Sequence, residues 1–301
     1  MKTLFYLTRR SIKLFLRDRG MFLASMITPI ILLVLYASFL GGIYSDNFTA
    51  NVPESFAALV PQKLINGFVC GQLCSSLLAV SCITVAFSSN MIMVQDKVSG
   101  ALRDLLVTPV KRHIIAISYY IATFFTTIII CYITLGASFA YLRCKGWYLS
   151  ANDVLLCLLD VLLLAMFGTA LSSIVSFALS TQGQMSVACT IISAGYGFIC
   201  GAYMPISSFG EGLQRVLSFL PGTYGTSLVR QHMLGGVFRE MESIGFPPEV
   251  CDAFRKATDC SIYFQGVQVS SGAMYALLCG SIALLIIIYI ILNAVCPDNK
   301  K

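Results

Sequence analysis

Charge is what this 301-residue sequence has least of. Lys and Arg number 20 and Asp and Glu 14, together 11% of the chain against 57% hydrophobic residues, and the mean hydropathy is +0.82. Soluble domains carry about 25% charged residues, so a chain of this length and composition has no means of covering a water-facing surface. The long alternating patterns of barrel strands are missing too, and the apolar runs far exceed the roughly 10 residues such strands need. A helical membrane bundle is what remains, because only helices and closed barrels satisfy the backbone in lipid. No Gly is followed by Lys, so the G-x-x-x-x-G-K-[ST] phosphate cradle is missing and no ATP site is expected on this chain. The two histidines, His113 and His232, are far apart in sequence and suggest neither a metal site nor a catalytic dyad. A net charge of +6 comes without any nucleic-acid-binding pattern. There is no CxxC pair among the 12 cysteines. Most sit in apolar runs, where a thiol packs as a small hydrophobe. Cys251 and Cys260 lie in a polar stretch and are candidates for a disulfide, with two free thiols as the alternative.

The apolar material divides into six predicted spans, at about 21–43, 65–91, 113–141, 154–179, 185–204 and 272–295. Residues 1–20 precede them. In this segment Arg9, Arg10, Lys13 and Arg17 share one face at 100° per residue, and the pattern reads as an amphipathic helix lying on the membrane surface. Basic residues gather at one set of span ends: 1–20, 92–112, 180–184 and 296–301. By the positive-inside rule this set is cytosolic, as are both termini.

A charged island, Gln95 to Arg112, interrupts the apolar sequence: Leu64–Gln95 before it and His113–Leu142 after it contain no Asp, Glu, Lys or Arg. Val98, Leu102, Leu105 and Leu106 recur at helical spacing, Lys97, Arg103 and Asp104 fall elsewhere, and Pro109 closes the helix. The pattern predicts a helix over 96–108, serving either as a topogenic loop or as a docking surface. After the fifth span, residues 205–236 read as two short helices, with Ser208 and Glu211 as a capping box and Gly235-Gly236 as a stop. They are too short to span and are expected to form a re-entrant or interfacial hairpin. The polar insert 237–270 is expected to project outward.

Within the spans, Asp160 is the one acid deep in an apolar run, which makes it a functional candidate by default. It serves either a substrate or packing contact or lies at the interface. With no Lys, Arg or second acid in the core, nothing signals proton coupling. Gly197 and Gly201 form a GxxxG, and Ser172, Ser176 and Ser180 repeat every four residues. Such stripes allow close helix packing, within one subunit or across a seam.

The string GALRDLLVTPVKR, Gly100 to Arg112, resembles the GTLE-LL-TP-R segment of type-2 ATP-binding-cassette exporter permeases, with Gly100, Leu102, Leu105, Leu106, Thr108, Pro109 and Arg112 matching and Ala101 and Arg103 replacing Thr and Glu. Met204-Pro205-Ile206-Ser207, Leu213-Gln214, Leu220-Pro221, Tyr224, Arg230 and Gly235 resemble that family's second signature. The resemblance implies an all-α membrane protein, residues 21–301 forming one six-span permease domain. Val98, Gly100, Leu102, Arg103, Leu105, Leu106, Thr108 and Pro109 would form the cytosolic coupling helix. Pro205, Leu217, Pro221, Tyr224 and Arg230 would belong to an outer gate. It further implies a bacterial plasma-membrane location, two partner ATPase subunits carrying MgATP, and a second six-span half, identical or related, joined through spans one and five. The cargo expected from the uncharged spans is amphipathic or lipid-like: a drug, lipopeptide or peptide antibiotic. Polysaccharide or glycolipid export is the alternative within the family. A secondary transporter or channel, or an intramembrane enzyme, is the alternative outside it.

Overall fold

The computed structural model describes residues 2–35, 38, 41–52, 60–264 and 266–295. The part of the predicted first span at 36, 37, 39 and 40, and the terminal segment 296–301 with Lys300 and Lys301, lie outside them. Among the described residues the chain is helical apart from a two-residue hairpin, Tyr263–Phe264 (β1) with Val267–Gln268 (β2), paired antiparallel. The helices are α1 (Lys2–Arg17), α2 (Arg19–Leu35), α3 (Gly41–Asn51), α4 (Gln62–Ser89), α5 (Met91–Ser99), α6 (Ala101–Val107), α7 (Arg112–Lys145), α8 (Ala151–Ala178), α9 (Gln182–Ile199), α10 (Glu211–Leu217), α11 (Pro221–Ser243), α12 (Pro248–Ala257) and α13 (Ser271–Val295).

Four stretches are long and apolar enough to cross a membrane: Gln62–Ser99, Arg112–Lys145, Ala151–Ala178 and Ser271–Val295. Helix α9 has 18 residues, about 27 Å at 1.5 Å per residue, a little short of the roughly 30 Å hydrocarbon core, and α2, with Pro29 inside it, is described as far as Leu35. The order of apolar helices expected from the sequence is therefore present, and four of them are long and apolar enough to cross.

Helix α4 is the axis of the bundle and is buried along nearly its whole length. It touches α2, α7, α8, α9 and α11. Small side chains make this crowding feasible: Ser75, Ser76, Ala79 and Cys82 are all buried, and small residues let membrane helices approach closely without any hydrophobic drive between them. Helix α13 sits on the rim, turning Leu277, Leu284, Ile287 and Ile291 outward.

Three sequence expectations fail in the second half. Glycines 235 and 236 do not end a helix, because α11 continues to Ser243. A Cβ on Gly236 would overlap the Tyr148 carbonyl and come within 3.2 Å of Leu149 N. The glycine is there for close passage of the 146–150 segment, not for a stop. Ser208 and Glu211 do not form a capping box: Gly210 precedes α10 without a side-chain cap, and Ser208 closes a 3₁₀ turn, Ile206–Ser208. Nor is the second helix of the hairpin short or peripheral. It has 23 residues, most of them buried, and packs against α4, α8 and α13. Its many Gly, Ser and Thr residues hide this burial from a hydropathy reading.

The polar insert also folds back instead of projecting. Phe254 of α12 stacks against Phe48 and Phe68, with ring centroids 5.0 and 5.9 Å apart, and Phe68 meets Phe238 at 6.5 Å. This aromatic cluster caps the bundle at the end opposite α6, hereafter the insert end. Cys251 and Cys260 are separate buried thiols, so the candidate disulfide is not formed. The Thr258 hydroxyl lies 3.3 Å from Cys260 Sγ, and burial pushes the Cys260 thiol up to about 11, as expected for an inert structural cysteine.

Gly236→Ala is expected to destabilise the chain by about 1–3 kcal/mol through overpacking. Gly235→Ala, whose added methyl would meet nothing closer than 3.5 Å, should be near neutral to packing. Thermal denaturation followed by size-exclusion chromatography in detergent distinguishes them, and equal losses would contradict the close-passage account.

Candidate functional site

The charged island is a bent rod, not the single helix expected over 96–108. Asn90 separates α4 from α5, and its fully buried side chain reaches Ser172 Oγ (3.3 Å) and Ser173 Oγ (3.4 Å) on α8 while accepting from the Thr123 hydroxyl of α7 (3.3 Å). Helix α5 then ends at Gly100, which has φ +83 and serves both as the last cap of α5 and the first of α6. A left-handed residue cannot continue a helix, and Gly takes this conformation without Cβ strain. The break is thus written at Gly100 itself.

Helix α5 is fixed from three sides. The buried Asp96 carboxylate accepts two hydrogen bonds from Arg10 of α1, at 2.7 and 3.1 Å, and one from the Tyr119 hydroxyl of α7, at 2.5 Å. Arg10, which the sequence placed on the basic face of a surface helix, is therefore turned toward Asp96 in the bundle. The hydrogen bond to Asp96 raises its pKa above an already high value. Lys97 Nζ donates to the carbonyls of Ser176 (2.9 Å), Phe177 (2.8 Å) and Leu179 (3.0 Å). These carbonyls close the end of α8, the Ser176 carbonyl also accepting from the Leu179 amide, and a cation there meets the negative end of the helix dipole. Hydrogen bonds to a charged group contribute about 1.5–3 kcal/mol, so this contact alone is a strong tie between α5 and α8.

Helix α6 stands free of that base and has no fully buried residue. Leu102, Leu105 and Leu106 are half-buried against the core. Arg103, Asp104, Val107, Thr108 and Pro109 are exposed, as is Val98 on α5, and Val107 is 88% exposed. Val98 therefore does not share the leucine face, since the bend at Gly100 breaks the register. The Thr108 hydroxyl caps the Leu105 carbonyl at 2.5 Å.

At the insert end, the residues of the second motif hold the turn between α9 and α11. Pro205 precedes the 3₁₀ turn, Leu217 is buried, Pro221 takes the first position of α11, and the Tyr224 hydroxyl donates to the Ser218 carbonyl at 2.5 Å. Arg230 is wholly buried and makes four contacts: Thr258 O (2.8 Å), Gly201 O (2.7 Å), Ser76 Oγ (3.2 Å) and Asp259 (3.4 Å). Burial pushes the Asp259 carboxyl above the usual carboxylate range, against the opposing charge of Arg230 and hydrogen bonds from the Ile206 and Ser207 amides. Gly197 and Gly201 do not form a helix-packing stripe. Gly201 lies past the end of α9 with φ +71, and the place of a Cβ on Gly197 is taken by the Tyr203 ring. Ser172 and Ser176 are buried, whereas Ser180 lies beyond the end of α8.

Asp160 is not isolated. It is buried, its Oδ2 lies 2.5 Å from His232 Nδ1 on α11, and its Oδ1 accepts from the Tyr275 hydroxyl of α13 at 2.5 Å. The histidine judged solitary in the sequence is its partner, 72 residues away. Likewise Asp153, capping α8 through Ser150, accepts from the two terminal guanidinium nitrogens of Arg239 on α11. The one sequence signal for these pairs is an acid inside or beside an apolar run, which demands a partner without naming it.

Between α2, α4 and α9 runs a groove of about 530 Å³, lined by Met21, Phe87, Ser88, Met91, Met185, Cys189, Thr190, Ser193 and neighbours, with no charged residue in its wall. Helix α9 also turns Val187, Ile191, Phe198 and Ile199 outward.

No curated protein matches the chain significantly. The model of the ABC-2 family transporter protein matches residues 54–295, from before α4 to the end of α13. The match takes in the island, the groove-lining α9 and the buried α11, and the chain belongs to the ABC-2 transporter family as a membrane component.

Proposed function

We propose that this chain is the permease subunit of an ATP-driven exporter in the plasma membrane, working with ATPase subunits that dock on α6 and with a second permease half. The observation that carries the reading is the build of the island. A short, exposed helix with a half-buried leucine face is mounted through one glycine on a helix bolted to α1, α7 and α8. A push on α6 then reaches three other helices through Arg10, Tyr119 and Lys97 instead of dissipating in a flexible loop. In this reading both termini and α6 face the cytosol, as the basic residues require. ATP is bound and hydrolysed on the partner.

Six spans follow if α2 and α9 also cross, α9 with the help of local bilayer thinning, which short helices commonly induce. The outward apolar face of α9 and the groove beside it would meet the second half. Cargo would pass along the groove, whose thioether, hydroxyl and aromatic wall suits an amphipathic or lipid-like molecule more than a charged one.

Leu102→Asp with Leu105→Asp is expected to cut coupled ATPase activity and co-purification of the ATPase subunit at least tenfold, with the permease still inserted. Full coupled activity in that variant would remove the docking role. A separate check addresses the path: Ser193→Trp, placed to fill the groove, should lower efflux of amphipathic fluorescent dyes several-fold while the ATPase subunit still co-purifies. Undiminished efflux would take the groove out of the mechanism.

A further inference from the structure

Helix α1, KTLFYLTRRSIKLFLR, carries five basic residues and no acidic one. The structure divides the five. Arg10 turns inward to Asp96. Lys2, Arg9, Lys13 and Arg17 stay exposed, and none of them makes an ion pair among the described residues. At 3.6 residues per turn these four fall within about 80° of one another around the helix. Arg9, Lys13 and Arg17 follow at i, i+4 and i+8, a spacing at which like charges repel. The next acid along the chain, Asp18, is exposed and accepts from the Met21 amide at the start of α2, at 3.0 Å. The basic row therefore calls for negative charge from outside the chain.

The apolar neighbours of the row say what kind of partner supplies it. Phe5, 63% exposed, and Leu16, 47% exposed, run along one edge of the row, and Leu14, 43% exposed, along the other. The opposite face of the helix is occupied: Ser11 and Phe15 are buried, and α1 packs on α7. One packed face, a basic crest and apolar shoulders in the open suit the plane where acyl chains meet headgroups. An acidic protein surface would meet the charges and leave the shoulders in water.

The depth of the helix agrees. Helix α7 has no charge from His113 to Leu142, and Arg143 and Lys145 mark its far end. About 20 residues fill the hydrocarbon core, so counting back from Leu142 its other boundary falls at about Ala122. Ser11 of α1 shares a small cavity with Tyr119, Ala122, Thr123 and Thr126. Helix α1 thus meets α7 at headgroup level, on the side of the island, and Arg10 reaches from it to Asp96 at the island's base.

We propose that α1 is a binding surface for anionic phospholipid. Lys2, Arg9, Lys13 and Arg17 take the phosphate-bearing headgroups of the leaflet on the island's side, while Phe5, Leu14 and Leu16 enter the top of its acyl layer. Arginine offers a planar fork of donors that matches a phosphate, and lysine a point charge. Each basic residue held near a negatively charged membrane surface favours the contact by about fivefold, so the row discriminates against zwitterionic lipid. The contact needs neither cargo nor an ATPase subunit. Its test uses the full chain alone in vesicles, and its failure would leave the transport reading standing.

The chain has one tryptophan, Trp147, past the far end of α7. Trp147→Phe combined with Phe5→Trp moves the fluorophore to the edge of the basic row. In vesicles mixing phosphatidylglycerol with phosphatidylcholine, bromine on the acyl chains of one lipid at a time quenches the fluorophore at contact. Brominated phosphatidylglycerol is expected to quench as though enriched about threefold or more around α1. The enrichment should shrink as salt rises from about 0.01 M to about 1 M, and disappear when Arg9→Gln, Lys13→Gln and Arg17→Gln are combined. Trp147 in the unaltered chain should show no such preference. Equal quenching by the two lipids at position 5, or the same preference at Trp147, overturns the proposal. So does quenching by neither lipid at position 5, which would assign the row to a protein partner. The salt series needs no basic-residue variant, so the comparison decides even if the triple variant fails to fold.

Discussion

A charged side chain inside a membrane bundle has no water to return to, and every buried acid among the described residues is answered by another part of the chain. Leaving one unanswered costs about 2.5–3.5 kcal/mol even by lenient insertion scales. The answers are long-range: Arg10 to Asp96 spans 86 residues, as does Arg239 to Asp153, and His232 to Asp160 spans 72. These ties sit toward the two ends of the bundle. Between them α4 runs with no charge from Leu64 to Ser89, packed through serine, alanine and cysteine side chains. The middle is held by close packing, the ends by charge.

That division gives the two ends different properties. Around the island, the ties to Asp96 and Lys97 make α5 a rigid base, and the left-handed Gly100 sets α6 out from it. Lys97 donates to three carbonyls at the end of α8, so the end of α8 and the base of α6 are one mechanical unit. At the insert end, Arg230 gathers the α9–α11 turn, α4 and the Thr258–Asp259 turn around one guanidinium. The histidine pair is the one buried carboxylate contact among the described residues that is made without an arginine.

Much of the architecture was legible before any coordinates. The uncharged runs located the long apolar helices, and GALRDLLVTPVKR identified the island that the family match later encompassed. The misreadings share a cause. Gly235-Gly236 carries a stop signal in isolation, but a glycine demanded by a neighbouring backbone looks the same in sequence as one demanded by a cap. Helix α11 seemed peripheral because hydropathy counts its Gly, Ser and Thr as polar, although these residues suit close packing in a bundle. The insert looked solvated because Phe254 gives no hint that Phe48 and Phe68 await it.

What the sequence by itself determined is everything governed by local composition and period: the helical membrane class, the places where the long apolar helices run, the island and its leucines. Hydrophobic length and helical spacing are properties of neighbouring residues, so they can be read along the chain. What only the tertiary structure decided is which groups meet: Arg10 with Asp96, Lys97 with the end of α8, Gly236 with the Tyr148 carbonyl, and His232 with Asp160. A buried charge in the sequence announces that it needs a partner, because solvation is lost wherever it is buried. Which residue answers depends on helix packing dozens of residues away, and no local pattern carries that.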